Sequence, residues 1–318
     1  MGQSLKNNLV FYGASFLYKF INALPRRITL FLGEALGFLA HLIVRKERVK
    51  ALTNLDRAYG NSLTFRHKKQ IARDCFITFG RAILEAMRLR RHYDNQMKPD
   101  IEVIGREHLQ KACDRGRGVI AITGHFGNFE LLAAWAAKSG FKSAAIGREL
   151  YDKRLDELLI NNRRAMGIRN VATSDSPRTM LRILKEGYIL GALIDTDSFR
   201  VGGELTLFFN RPAKTPTGPT QLGLMAGAAF VPLFCFSFPG GKYRIEIYPE
   251  IIPESTERTR ENIYKLTSRM TEVIEAAVRK YPEQWIWMHN RWHNRAHEDD
   301  QQFLKSIGID IELIPEDK

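Results

Sequence analysis

The sequence is poor in cysteine and lacks the short motifs that mark several common enzyme classes. Its 318 residues include three cysteines, Cys75, Cys113 and Cys235, at spacings that fit neither a CxxC pair nor another metal-ligand pattern. An odd number of separated thiols is typical of a reducing compartment, so we predict no disulfide framework. Neither a P-loop nor a GxGxxG pattern occurs, and nucleotide binding is therefore unsupported.

No uninterrupted apolar run reaches the roughly 20 residues that a membrane-spanning helix needs. The two most apolar stretches, residues 9–24 and 28–44, are separated by a proline and two arginines. We expect them to be helices in the bilayer interface, with aromatics in the lipid and Lys and Arg at the headgroups. A single span, or a helix pair packed on a soluble core, is the alternative. Charged residues interrupt the first stretch and no cleavage site follows, so no secretory signal is expected.

Positive charge is unevenly distributed along the chain. The formal net charge is +13, and residues 1–100 carry 18 Lys and Arg against 7 Asp and Glu. Such a block suits an anionic partner, which includes nucleic acid, acidic lipid headgroups and acidic proteins, or it is a solvated basic face. The cations flank apolar helices rather than base-stacking aromatics, so we predict a membrane surface and no nucleic acid.

The stretch from Gly118 to Gly140 combines a strand, a tight turn and a helix. Val119–Thr123 is apolar and β-branched, which predicts a buried strand, and a helical pattern begins at Phe129. The turn between them holds His125 at the carboxyl end of the strand, where open α/β sheets bind ligands. The sequence therefore places an imidazole at a candidate active site.

Asn128 and Glu130 are predicted to organise this turn. Residues five apart do not share a helix face, so His125 lies in the loop if Asn128 is the N-cap. The Glu130 carboxylate would then reach back to the ring, fix its tautomer and stabilise the imidazolium. No Ser or Cys lies in the turn, so the imidazole is expected to act on a substrate hydroxyl. A structural histidine at a strand–helix turn is the alternative, and the spacing alone does not separate the two.

Polar side chains also follow two later strands. Arg148 stands just past the strand predicted at 142–146, where it could hold a phosphate or an oxyanion, or cap its own loop. Asp195 follows the buried strand predicted at 188–194, where it could orient an acceptor or hold the loop. We predict substrate contacts at Asn128, Arg148 and Asp195. Two acids with one spacer, Asp195 and Asp197, offer no third ligand, and we predict no metal there.

The turn sequence HFGNFE matches the HxxxxE/D motif of the glycerolipid acyltransferase superfamily, and its surroundings most resemble the late lipid A biosynthesis acyltransferases. Three later blocks resemble that family: GALIDTD at 191–197, FFNRPAKTPTGPTQLGLMAGAAFVPLF at 208–234 and PEQWIWMHNRW at 282–292. The resemblance runs from about residue 10 to about residue 295. HxxxxE alone is a weak motif, whereas four blocks in order are a specific signal.

The last block also contains a pattern that suggests a metal. His289, His293 and His297 recur every four residues and could line one helix face. The resemblance already accounts for the tryptophan-rich block as a structural element, so we predict no metal here.

With this resemblance, we expect an α/β fold: a mixed, largely parallel central sheet flanked by helices over residues 51–297. Residues 1–50 would attach it to the membrane, and residues 298–318 would be a peripheral tail. The expected reaction moves a fatty acyl chain directly from acyl carrier protein to a hydroxyl of a lipid A precursor, an anionic membrane glycolipid. His125 would be the general base, oriented by Glu130, while turn amides or Arg148 stabilise the oxyanion. The chemistry would face the cytoplasm at the inner membrane, without a cofactor.

Three alternatives stay open at this point. A related acyltransferase could use a phospholipid, an aminolipid or a glycosylated phosphoinositide as acceptor, with the same site. A basic nucleic-acid-binding protein and an inactive membrane-surface protein are the alternatives of another class.

Overall fold

A computed structural model describes residues 3–147, 149–197, 202–293 and 298–309 of the chain. Its strands are β1 Ile101–Ile104, β2 Val119–Thr123, β3 Ser143–Gly147, β4 Ile168–Ala172, β5 Ile189–Leu193, β6 Gly203–Phe208, β7 Arg211–Pro216, β8 Ala229–Phe238 and β9 Lys242–Ile247. Seven of these described strands form one sheet in the order β1-β9-β8-β2-β5-β3-β4. The run from β8 to β4 is parallel, and β9 is antiparallel to β8. The predicted mixed, largely parallel sheet is confirmed.

Helices cover both faces of this sheet. They are α1 Gln3–Ala23, α2 Arg26–Ile43, α3 Arg45–Tyr59, α4 Phe65–His92, α5 Arg106–Asp114, α6 Phe129–Lys138, α7 Lys153–Ala165, α8 Pro177–Lys185, α9 Gly218–Ala226, α10 Arg260–Lys280 and α11 Glu298–Ser306. Alternate residues of β2 belong to different cores: Ile120 and Ile122 pack with α8, α9 and α10, whereas Val119 and Ala121 pack with α5 and α6. Burial on both faces explains why β2 reads as a continuous apolar run.

Local sequence features account for several of these elements. The helix that opens at Ser176-Pro177 is α8, in which Ser176 accepts a hydrogen bond from the Thr179 amide. The hairpin across residues 239–241 is β8–β9, which pair antiparallel. Residues 211–216 form β7, paired antiparallel with β6, although they include two prolines. Its prolines stand in a two-stranded ribbon, where a missing amide is tolerated more easily than in a central strand.

The helices α1 and α2 form an amino-terminal hairpin, which is joined to the rest of the chain by close helix packing. α2 lies against α4, and a Cβ at Gly37 would stand 2.2 Å from the Phe76 carbonyl oxygen. The Arg26 guanidinium is buried between the Glu85 carboxylate, at 2.8 Å, and Asp100, at 2.5 Å. The expectation that arginines of this region meet lipid headgroups is therefore wrong for Arg26. A buried ion pair fixes the hairpin to the domain instead.

The outer side of the same hairpin is apolar and open. Six large side chains of α1 and α2 are each more than half exposed: Leu9, Tyr12, Phe16, Phe31, Leu42 and Ile43. Three of them, at positions 9, 12 and 16, share one side of α1. Within the described residues, no single helix is long and apolar enough to cross a membrane, and α2 together with the segment 45–62 passes that test only as a pair bent by 89°.

The carboxyl-terminal helix α11 is tied to the domain by one buried acid. Asp300 is 4% exposed and accepts hydrogen bonds from Lys214 of β7, at 2.9 Å, and Arg260 of α10, at 3.0 Å. The described part of the tail is therefore anchored by charge pairing.

Candidate active site

The register of two neighbouring strands brings the candidate base and an acid together. β2 and β5 are adjacent and parallel, and Thr123 pairs with Leu193 at their carboxyl ends. His125 and Asp195 each stand two residues beyond that last pair, so they meet at the same edge of the sheet. This edge is where open α/β sheets bind ligands.

Asp195 holds both the ring and the backbone of His125. Its Oδ1 lies 2.9 Å from His125 Nδ1, and its Oδ2 accepts a hydrogen bond of 2.6 Å from the His125 amide. Because a carboxylate only accepts, Nδ1 carries the proton, and Nε2 is left as the basic nitrogen. The Asp195 side chain is fully buried, whereas the His125 side chain is 26% exposed. The imidazole therefore faces the surface while its carboxylate partner lies beneath it.

The carboxylate is charged despite its burial. Burial raises the pKa of Asp195, but the positive charge of a protonated His125 and the hydrogen bonds from its ring and amide outweigh that effect. The resulting pKa is well below the usual range of an aspartate. Such a carboxylate orients the imidazole and stabilises the imidazolium that forms when Nε2 takes a proton.

Glu130 is directed elsewhere. Its carboxylate forms a two-fold hydrogen-bonded pair with the Arg163 guanidinium of α7, at 2.5 and 3.1 Å. Both side chains are largely enclosed, at 14% and 8% exposure. The predicted contact between Glu130 and the His125 ring is therefore wrong, because the first turn of α6 points the carboxylate at α7. Arg163 also bonds Asn170 of β4, so the pair joins α6, α7 and the sheet.

Asn128 is the N-cap of α6, as the sequence predicts. Its side-chain oxygen accepts a hydrogen bond of 3.0 Å from the Leu131 amide, and the residue is 2% exposed. This burial leaves no surface for the substrate contact predicted at Asn128. Arg148, the other predicted anion contact, lies outside the described residues.

Three of the turn amides proposed for the oxyanion are already engaged. The amides of His125, Phe126 and Gly127 donate to Asp195 Oδ2, the Gly124 carbonyl and the Gln284 carbonyl, respectively. An oxyanion could take one of these amides only by displacing its partner. A side-chain donor, in contrast, would need no such displacement.

The tryptophan-rich segment that follows α10 braces the turn, a contact that sequence reasoning missed. Phe126 and Trp285 form an antiparallel bridge, and the Ile286 amide donates to the His125 carbonyl. The Trp285 indole N–H donates to Asp195 Oδ2 at 2.8 Å. Gln284 fixes the segment to β8 by bonding the Ser237 backbone in both directions. The clustered tryptophans signalled burial, but no spacing showed what they would be buried against.

Gly127 allows the turn to lie close to β8 and to the segment around Gln284 and Trp285. Its φ is +52°, and a Cβ there would stand 2.1 Å from the Cys235 carbonyl oxygen. The position therefore needs glycine for both conformation and space.

His289 is a second imidazole at the site. Its ring centroid lies 4.5 Å from that of His125, with 53° between the planes. Burial, together with a smaller effect of a positive charge on His125, lowers its pKa to about 4. Residues 285–293 form turns rather than the helix supposed for the repeated histidines, and His297 lies outside the described residues. In the described ranges, no group of three or more His, Cys, Asp or Glu is arranged to hold a metal ion.

The three thiols lie in surroundings that suppress thiolate formation. Burial raises the pKa of Cys75 to about 12 and that of Cys113 to about 11, and it also raises the pKa of Cys235. Cys75 donates to the Trp285 carbonyl at 3.0 Å, beneath the site. A protonated, buried thiol is a poor nucleophile.

Comparison with known proteins gives the class to which this fold and site belong. The family model of bacterial lipid A biosynthesis acyltransferases matches residues 3–294. The chain belongs to this family of lipid acyltransferases.

Three relatives show the range of this similarity. The lipid A biosynthesis lauroyltransferase of Escherichia coli is 27% identical over 280 residues, which is 86% of this chain and 87% of the relative. The palmitoleoyltransferase of lipid A biosynthesis from the same organism is 24% identical over 297 residues, or 90% and 92%. A phosphatidylinositol mannoside acyltransferase of Mycolicibacterium smegmatis is 24% identical over 226 residues, or 70% and 72%.

Proposed function

We propose that this protein transfers a fatty acyl chain from a thioester on acyl carrier protein to a hydroxyl of a lipid A precursor. The observation that carries the proposal is the His125–Asp195 pair, whose partly exposed imidazole keeps Nε2 for the substrate. Family membership supports the acyl transfer and the lipid acceptor, because the relatives are named for both.

The proposed mechanism is direct transfer. His125 Nε2 takes the proton of the acceptor hydroxyl as its oxygen attacks the thioester carbonyl carbon. The imidazolium, stabilised by Asp195, then gives that proton to the leaving thiolate. Base catalysis of this kind contributes roughly 10²–10⁴-fold, with positioning and oxyanion stabilisation adding to it. Since the thiols are suppressed, no acyl-enzyme is expected, and alanine variants of Cys75, Cys113 and Cys235 should keep activity.

The acceptor is reached at the cytoplasmic face of the inner membrane, through the open apolar side of α1 and α2. Phe16 and Phe31 are 70% and 67% exposed there. Burying such side chains in the interfacial region contributes on the order of 2 kcal/mol each. Exposed cations lie in the same third of the chain, including Arg45, Lys46 and Lys69. They suit the anionic acceptor, the acidic carrier protein, or both.

Vesicle sedimentation tests the attachment. Phe16→Glu and Phe31→Glu should each move protein from the pellet to the supernatant with anionic vesicles. Ile252→Glu, at an isoleucine 59% exposed outside the hairpin, is the matched control and should not. Equal binding by all three variants would argue against the hairpin as the attachment site.

A transfer assay tests the reaction itself. Purified full-length protein is given acyl carrier protein thioesters and a panel of acceptors, namely a lipid A precursor, a phosphatidylinositol mannoside, a phospholipid and an aminolipid. We expect acylation of the lipid A precursor by mass spectrometry, and His125→Ala should reduce the rate by about 10³-fold or more with the fold intact. His67→Ala, at an exposed histidine of α4, is the matched control.

Each other outcome of this assay has a definite meaning. Acylation of the mannoside instead would select the acceptor named for the Mycolicibacterium smegmatis relative. Full activity of His125→Ala would contradict the mechanism. Inactivity of the wild type towards every acceptor would contradict the proposed function.

A further inference from the structure

His289 lies beside the base, and the mechanism above gives it no task. The backbone of His289 is fixed on both sides. Its amide donates to the Ile286 carbonyl at 3.1 Å, and its carbonyl accepts a hydrogen bond of 2.6 Å from the side-chain amide of Asn54 in α3. Its ring nitrogens, in contrast, make no hydrogen bond to the described part of the chain. A rigidly placed imidazole with a free N–H is therefore available next to His125.

The proposed reaction needs a donor at this place. When the acceptor oxygen attacks, the electron pair of the carbonyl moves onto its oxygen, and the resulting negative charge must be stabilised. The amides of residues 125–127 already have partners. The oxyanion also has to form within a few ångströms of His125, because the base and the carbonyl carbon share the attacking hydroxyl oxygen.

We propose that His289 is a second catalytic residue, whose imidazole N–H donates a hydrogen bond to the oxygen of the tetrahedral intermediate formed beside His125. The inference rests on the proposed function. A ring centroid 4.5 Å from that of His125 brings a donor within reach of an oxygen on the carbon under attack.

The proposed reaction forms and breaks the following bonds beside His289. The acceptor oxygen bonds to the carbonyl carbon as its proton passes to His125 Nε2, and the carbonyl oxygen takes the electron pair. When the carbonyl re-forms, the carbon–sulfur bond breaks, and the thiolate takes the proton from Nε2. His289 keeps its own proton throughout and contributes only the hydrogen bond.

The charge state of His289 suits a donor that does not titrate during turnover. Four groups act on the electrostatics of the ring: His125 and Lys50 disfavour its protonation, whereas Asp195 and Glu47 favour it. Burial, the largest influence, disfavours protonation as well and holds the pKa at about 4. A neutral imidazole beside His125 also leaves that base free of a second positive charge, which would oppose proton uptake.

Two variants at one position separate a donor from a packing residue. His289→Phe keeps an aromatic ring but removes the donor, and kcat should fall by roughly 10²–10³-fold, as in other sites that lose one oxyanion donor. KM for both substrates and Tm should stay close to the wild type.

His289→Gln keeps a side-chain N–H and should retain about tenfold more kcat than His289→Phe. Both variants should keep the pH midpoint of kcat/KM, since His125 remains the base. His67→Phe is the matched control.

The alternative outcomes are distinct. A loss that appears only in the KM of the acceptor would make His289 a binding contact and overturn the proposal. Equal losses in His289→Phe and His289→Gln with a lowered Tm would make it a packing residue. If the wild type is active and His289→Phe is equally active, this inference alone fails. If the wild type transfers no acyl chain, the proposed function fails and the inference fails with it.

Discussion

Asp195 and Glu130 are both carboxylates beside the turn that carries His125, but they hold different cations in different surroundings. Asp195 binds an imidazole that is 26% exposed and can gain or lose a proton. Glu130 binds a guanidinium that is 8% exposed and permanently charged. Only the first pair can take part in proton transfer. The second is suited to holding α6 against α7, so the acid nearest to His125 in sequence is not the acid that contacts its ring.

The largest difference between the two pairs should appear in Asp195→Asn. An amide cannot stabilise the imidazolium, and it allows the unproductive tautomer, so kcat should fall by roughly 10²–10⁴-fold. Steady-state kinetics between pH 6 and pH 9, with Tm measured in parallel, would check this. A variant with wild-type kcat would remove the functional distinction between the two acids.

Glu130→Gln should show a different signature. It leaves Arg163 enclosed without a carboxylate, which costs about 3 kcal/mol of unfolding free energy, so Tm should fall by several degrees. The activity that Glu130→Gln loses should be restored in part, together with Tm, in the double variant Glu130→Gln/Arg163→Met. Thermal melts and kinetics of the two single variants and the double variant would check this. A large loss of kcat at unchanged Tm would instead show that Glu130 acts in the chemistry, as the HxxxxE motif suggests.

A smaller effect is expected from Trp285→Phe. This substitution keeps a buried ring but removes the indole N–H that donates to Asp195 Oδ2. Loss of one charge-assisted hydrogen bond, about 1.5–3 kcal/mol, should lower kcat by roughly tenfold. Trp292→Phe, at an indole that makes no hydrogen bond among the described residues, is the matched control. Equal kinetics of the two variants would show that Asp195 does not depend on the brace.

The smallest effect concerns the acid sensitivity of the side of the turn that carries His125 and His289. The pKa of His289 is lowered from 6.5 to about 4, so between these values the unfolded chain binds a proton that the folded chain does not. Stability should therefore fall as pH drops from 6.5 to 4, and His289→Asn should weaken this slope. Urea unfolding at pH 7 and pH 5 would check it. An unaltered slope in His289→Asn would contradict the assignment.

Local sequence patterns predict the secondary structure around the site better than they predict which side chains contact His125. The strand, the turn and the cap at Asn128 are all encoded by neighbouring residues. Which acid meets His125 depends on the register of β2 and β5, because Asp195 is brought in from 70 residues away. The brace at Trp285 is likewise non-local. The sequence spacing favoured Glu130 because it lies close to His125 in the chain. The first turn of α6, however, directs the Glu130 carboxylate towards Arg163.

The bridge between Phe126 and Trp285 has a consequence for how the protein matures. The imidazole, its carboxylate partner and the indole that donates to that carboxylate stand at residues 125, 195 and 285. A growing polypeptide released from the ribosome before residue 285 would contain the imidazole and the carboxylate but not their support. The support of the site therefore forms only after residue 285 has been synthesised. A fragment that ends before residue 285 is expected to lack an ordered turn at His125.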